Sequence, residues 1–316
     1  MSVRRPSVSN LGFVGHHHHH DHGVREDADS RKLALALALI LGFMCVEVAV
    51  GILARSLVLL SDAAHMLTDA GALVLSLVAI RLARRPAVGA MTYGLKRSEI
   101  LAAAVNGSTL LVLGLLIVYE SVWRLIDPPD VEGGPVLAVA ILGIAVNLVA
   151  TSVLARANRE SLNVEGAFQH ILTDLAAFIA TAVAGAVVLA TGFRRADGIA
   201  ALLVAALMLR AAYLLLRESG RVFLEASPRG LDPDAIGLRM AGHQGVAEVH
   251  DLHIWEVTSG FPALSAHVLV ARDTDCHDVR RTLEAMLHDE FAIEHTTLQV
   301  EHEGEDLLEI DVSPRG

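Results

Sequence analysis

Between residues 33 and 217 the chain passes through one apolar stretch after another, each long enough to cross a lipid bilayer, whose hydrocarbon core takes about 20 helical residues. The stretches fall at 33–54, 57–82, 99–126, 135–155, 166–191 and 197–217, and the breaks between them are short. Two of the breaks carry turn chemistry, Asp127-Pro128-Pro129-Asp130 ahead of Gly133-Gly134-Pro135 and Thr191-Gly192-Phe193. The expected architecture is therefore an α-helical membrane protein with six transmembrane helices. An even number of spans puts both ends of the chain on the same side. The overall makeup agrees: 53% of residues are hydrophobic and 19% charged, where soluble domains run at about 45–50% and 25%.

Basic residues beside the spans predict which side that is. One set of flanks holds Arg25, Arg31, Lys32, Arg81, Arg84, Arg85, Lys96, Arg97, Arg156, Arg159, Arg217 and Arg221. The opposite set holds only Arg55, Arg124, Arg194 and Arg195. The excess favours a multi-pass protein of the cell (inner) membrane with its N- and C-termini in the cytoplasm.

The net charge of -11 has one address. Up to Arg217 the chain holds 18 Lys+Arg against 16 Asp+Glu, and beyond it 7 against 20. No basic surface accompanies the acidic end, which argues against a nucleic-acid partner. Cys45 and Cys276 are too few and too far apart for a disulfide framework or a cysteine zinc site.

Past the last span the pattern changes to that of a small soluble domain. Asp232 reads as a helix cap with Pro233 in the first turn, leading into 235–241. Strands are expected at 246–257 and 264–271 around Ser259-Gly260-Phe261-Pro262, a helix at 275–290 and a third strand at 296–302. The expected organisation is a disordered His-rich tail at 1–32, a membrane domain at 33–217, a cytoplasmic α/β domain of order αββαβ at 218–303 and a tail at 304–316. The run His16 to His20, with Asp21 and His22, reads either as a low-affinity metal collector or as an expression tag, and its break at Asp21 favours a native segment. No signal peptide is expected, because the first apolar run exceeds 20 residues and is not followed by a cleavage site and a soluble domain.

The chemistry concentrates in an internal repeat. His65-Met66-Leu67-Thr68-Asp69 in span two recurs as His170-Ile171-Leu172-Thr173-Asp174 in span five. A His and an Asp four residues apart share one helix face. An ionisable group in hydrocarbon costs about 2.5–3.5 kcal/mol on insertion scales, so two such pairs require partners. Spans two and five run in opposite directions, so packing them together brings His65 beside Asp174 and Asp69 beside His170. Two imidazoles and two carboxylates make a closed tetrahedral set suited to zinc. The span-five pair lies close to the start of its apolar run, so either that helix begins earlier, near Asn163, or the boundaries are misjudged. Asp62 and Glu47 read either as an access path or proton relay, or as interfacial carboxylates bonded within the bundle; Asn106 and Asn147 read as interhelical hydrogen-bonding groups.

Eight further histidines lie in the acidic domain, at 243, 250, 253, 267, 277, 288, 295 and 302. His250 and His267 on neighbouring strands, His277 near a helix start, and Glu301 and His302 at the last strand's end could converge on a second metal, or could be scattered surface groups.

Ser61-Asp62-Ala63-Ala64-His65-Met66-Leu67-Thr68-Asp69, His170-Ile171-Leu172-Thr173-Asp174 and Val249-His250-Asp251-Leu252-His253-Ile254-Trp255, with six spans and an acidic tail, resemble the cation diffusion facilitator family in its zinc-transporting branch. The resemblance runs over about 33–302. It implies a homodimer, joined through the cytoplasmic domain, that exports divalent cations in exchange for protons, with a domain of ferredoxin-like, metallochaperone-like fold. It implies that His65, Asp69, His170 and Asp174 hold the transported metal, a His at the first position being the zinc pattern. It further implies that His250, His267, His277 and Glu301 hold a cytoplasmic zinc centre; Gln299 stands where some members have another His. A third site, which some members carry between spans two and three, is expected to be missing, since 86–96 contains neither His nor Asp.

The expected function is a zinc/proton antiporter and no enzyme, with zinc as cargo and regulatory ligand and protons as counter-ion. Cadmium or cobalt efflux by the same route stays open, because the ligand set accepts all three. A membrane zinc hydrolase would need an open metal position and a base such as that of His-Glu-x-x-His, which is absent. A sensor whose spans only anchor the acidic tail would leave the span ligands dispensable.

Overall fold

Six long helices come first in the chain: α1 (His22–Leu53), α2 (Leu57–Ala83), α3 (Ser98–Ile126), α4 (Gly133–Leu154), α5 (Leu162–Thr191) and α6 (Arg195–Phe223). A smaller unit follows, made of α7 (Pro233–Ala241), β1 (Val246–Glu256), β2 (Pro262–Val270), α8 (Cys276–Phe291) and β3 (His295–His302). The computed structural model describes residues 22–53, 57–127, 133–157, 159 and 161–303; the cluster His16 to His20 and the 304–316 tail lie outside them. Among the described residues, four helices are long and apolar enough to cross a membrane: α3, α4 from Leu137, α5 and α6.

Helix α1 starts at His22, well before the apolar run and inside the stretch expected to be disordered. After Gly23, residues 24–32 contain no glycine or proline, so no strong helix breaker interrupts the helix there. Leu33, Ala36, Ile40 and Phe43 form its buried stripe at helical spacing, packed against Met66 and Leu73 of α2, Ala150 of α4 and Ile171 of α5. Helices α3 and α6 approach closely through glycines one heptad apart on α3. A Cβ on Gly107 would stand 3.0 Å from Leu216 Cγ, and one on Gly114 3.0 Å from Leu209 Cδ2. Small residues at such crossings let two backbones meet where lipid supplies no hydrophobic drive. The outer faces stay apolar, with Leu101, Leu116, Leu203 and Leu207 all exposed.

In the second unit the sheet order is β1-β2-β3, with β1 and β2 antiparallel and β2 and β3 parallel, α8 lying in the connection. Leu264, Ala266, Val268 and Val270 alternate along β2 and bury against Ile236, Met240, Leu283 and Leu287 of α7 and α8. The residues between them, Ser265, His267 and Leu269, therefore face the other side of the sheet. Asp232 caps α7 by accepting from the Asp234 N–H, with Pro233 in the first turn. Asp275 caps α8, accepting from the backbone N–H groups of His277 and Asp278. Those two N–H donors, the Asp278 bond first, hold the Asp275 carboxyl below its ordinary value.

Among the described residues, the two units meet around the turn between β1 and β2 and the start of β3. The first helical N–H of α5, on Leu162, donates to Ser259 Oγ at 3.1 Å, while the adjacent Ser161 makes no side-chain cap of its own. In the same turn Phe261 lies under Lys96 Nζ at 5.1 Å. The Phe261 ring also packs on His295 at 5.9 Å, and His295 Nε2 is 3.3 Å from Tyr93 Oη. Arg97 and Glu225 form an ion pair at 3.1 Å. The loop 84–97 thus joins α2, α3 and the sheet.

Candidate metal centre

Helix α5 begins at Leu162, four residues ahead of the apolar run, and Asn163 and Val164 in its first turn are buried. His170 therefore lies about 12 Å inside the helix at 1.5 Å per residue, not at its edge. Its partner Asp69 lies near the middle of α2.

His170 Nε2 donates to Asp69 Oδ1 at 2.7 Å, and the side chains are 2% and 5% exposed. Asp174, one turn further along α5, joins them: Asp69, His170 and Asp174 offer ligand atoms all within 4.8 Å of one another. Asp174 is only partly buried, whereas the other two are sealed. His65 lies on α2 one turn from Asp69, but its side chain, like those of Asp62 and Glu47, is outside the described residues. Zinc–ligand bonds of about 2.0–2.1 Å in a tetrahedron put ligand atoms roughly 3.3 Å apart. The His170 and Asp69 atoms would need to separate by a little over half an ångström to admit the ion between them. His170 Nδ1 is buried without a hydrogen-bond partner.

A second polar layer lies seven residues away on both helices. Ser76 follows Asp69 by seven and Asn163 precedes His170 by seven, so both steps stay on the same helix face and run towards the second unit. Asn163 Nδ2 donates to the Ser76 backbone oxygen at 2.9 Å. Asn106 Nδ2 of α3 donates to Ser76 Oγ at 3.2 Å, and that hydroxyl donates in turn to the Ala72 carbonyl at 3.0 Å. All three residues are buried. Asn106 makes the interhelical bond that its type suggested. Among the described residues Asn147 makes no such bond; it donates to Gly143 of its own helix at 3.1 Å. An amide four residues downstream of a carbonyl can satisfy itself locally. Ser76 and Asn163 were not singled out in the sequence; the heptad spacing from Asp69 and His170 was the available signal.

In the second unit, His250 and His267 are cross-strand partners with ring centroids 5.4 Å apart. Gln299 is paired with His267 on the far strand and donates to Glu301. His277 lies in the first turn of α8, the helix packed on the opposite face of the sheet from His267. Among the described residues, no His, Cys, Asp or Glu completes a close set of three with the His250–His267 pair.

Residues 33–224 match the family described as "Cation efflux transmembrane domain", and residues 228–303 that described as "Cation efflux protein, cytoplasmic domain". The chain is 35% identical to the cadmium, cobalt and zinc/H(+)-K(+) antiporter of Bacillus subtilis (strain 168), over 84% of this chain and 86% of that one. It is 38% identical to the zinc transporter ZitB of Escherichia coli (strain K12), over 83% of this chain and 84% of that one. A solved structure, the metal-bound C-terminal domain of the CzcD transporter from Cupriavidus metallidurans, is 36% identical over 22% of this chain and 99% of that chain, with a TM-score of 0.22.

Proposed function

Starting from the chain's membership of the cation efflux family, we propose that it exports divalent metal ions, zinc foremost, from the cytoplasm in exchange for protons. It is a transporter and no enzyme. The observation that carries the reading is the buried contact of His170 Nε2 with Asp69 Oδ1, with Asp174 alongside. Metal loading needs a free imidazole lone pair and ionised carboxylates, so protonation of these groups competes with the ion, which is the minimal requirement for exchange.

His65 completes a tetrahedral set with Asp69, His170 and Asp174, in the proposed arrangement of six helices, α1–α6, spanning the inner membrane. Both termini face the cytoplasm, and the lipid bilayer covers the apolar outer faces. The chain divides into a tail (1–32), a membrane domain (33–217), a cytoplasmic domain of metallochaperone-like αββαβ order (218–303) and a short tail (304–316). The cytoplasmic domain joins two copies into a homodimer and holds a regulatory zinc through His250, His267, His277 and Glu301. The facing His250 and His267 rings support that site. Cadmium and cobalt are secondary cargo, since the same ligands accept them.

The test is uptake of zinc into inverted membrane vesicles driven by a pH gradient. The Asp174→Ala variant is expected to abolish it; uptake at the unsubstituted rate would remove Asp174 from the ligand set.

A further inference from the structure

The layer formed by Ser76, Asn106 and Asn163 is not needed to bind metal, yet among the described residues it is the most deeply buried polar cluster of the helical unit. Ser76, Asn106 and Asn163 are 0%, 1% and 0% exposed. It lies about 10 Å from the Asp69–His170 pair, seven residues along each helix at 1.5 Å per residue. Leu73 and Ala167, between the two layers, are also sealed, at 1% and 0%. From the α6 side, Leu215 closes on Gly166 so tightly that a Cβ there would meet it at 3.0 Å. On the opposite side of His170, by contrast, Asp174 is partly exposed.

One atom in this layer has no partner. Asn163 Oδ1 is buried and accepts no hydrogen bond, and the orientation of the amide is not in question. Its nitrogen faces the Ser76 backbone oxygen, which only accepts, so turning the amide over would set oxygen against oxygen. The closed arrangement therefore gains one amide–carbonyl bond and strands one carbonyl oxygen. Parting the helices would exchange both for water. The stranded oxygen offsets part of what the bond contributes and so lowers the cost of opening this contact.

We propose that Asn163 is the gate residue on the cytoplasmic side of the metal path: its bond to the Ser76 carbonyl holds α5 against α2 and seals the metal site from that side, and it must break for an ion to enter. The Asn106 bond to Ser76 Oγ ties α3 into the same closure, so that α2, α3 and α5 are joined at a single residue. This inference rests on the transport reading and deepens it.

The experiment uses the purified full-length protein in liposomes, with zinc and proton movement followed together. In Asn163→Ala and Asn163→Asp the inner closure is weakened. Turnover at saturating zinc is expected to fall at least threefold, and the protons moved per zinc to fall with it, while zinc affinity at the intramembrane site stays within twofold. A merely structural role would lower thermal stability and leave the coupling ratio untouched; that result, or wild-type kinetics, overturns the gate. The converse variant is Ser76→Cys/Asn163→Cys, in which oxidation should arrest transport and a reductant restore it. Unimpeded transport by the cross-linked protein also overturns the gate. Failure of the unsubstituted protein to move zinc would instead remove the transport reading, and the gate with it.

Discussion

Replacing Asp69 by asparagine separates metal binding from folding. The two side chains are nearly the same shape, and an asparagine oxygen can still accept from His170 Nε2 in the position that Asp69 Oδ1 occupies, 2.7 Å away. A hydrogen bond to a charged group contributes about 1.5–3 kcal/mol and a neutral one about 0.5–1.5, so the metal-free protein should lose on the order of 1 kcal/mol. Part of that is offset, because a neutral amide costs less to bury than a carboxylate. The zinc site loses much more. Partners that only orient a ligand already cost about 10–100-fold in affinity when removed, so loss of an anionic ligand should exceed 100-fold. At about 1.4 kcal/mol per factor of ten, that is at least roughly 2.8 kcal/mol. Zinc titration of purified Asp69→Asn against a competing chelator reads the affinity, and thermal unfolding in chelator reads the fold. An affinity within threefold of the unsubstituted protein, with transport retained, would refute the assignment of Asp69 as a ligand. A large stability loss without an affinity change would make Asp69 a structural partner of His170 and nothing more.

In full-length protein already carrying Asp174→Ala, His267→Ala should weaken the remaining zinc binding by about tenfold or more, since it removes one of the two facing imidazoles; unchanged calorimetric titration would dismiss the cytoplasmic site. Asp275 is held ionised below its ordinary range by two backbone donors, so its contribution to stability is present above that range and is lost as pH falls through the lowered value. Asp275→Ala should therefore destabilise the sheet unit at neutral pH, and the difference should close on acidification; a constant difference in unfolding temperature down to about pH 3 would contradict the linkage.

What the sequence made legible was mostly local. The cap Asp232 acts within two residues and appears where its neighbours indicated, whereas Asp275, expected as the first residue of its helix, is instead that helix's cap. The duplicated His and Asp spacing sufficed to set Asp69 opposite His170, because two antiparallel helices with matched motifs can meet in few ways. The start of α5 was harder to read. An apolar run marks where lipid begins, whereas the helix begins where the backbone is capped, and here the cap comes from Ser259, 97 residues away. Ser76 was hard to single out for a similar reason, its heptad spacing from Asp69 being the one signal. A lone serine in an apolar helix is unremarkable until amides from α3 and α5 converge on it. The placement of His277 depends on which face of the sheet α8 covers, a matter of three-dimensional packing that strand and helix assignments alone leave open.

The bond from Leu162 to Ser259 bears on how such a protein can be taken apart and rebuilt. A helix terminus left without a cap loses about 0.5–2 kcal/mol, and here the terminus belongs to the helix that carries His170 and Asp174. A chain cut after α6 would leave that terminus bare, so a truncated transporter would test a loosened α5 as well as the loss of a domain. A chimera of two relatives should exchange the turn around Ser259 together with the start of α5, as one inherited unit, whatever the boundary between domains suggests.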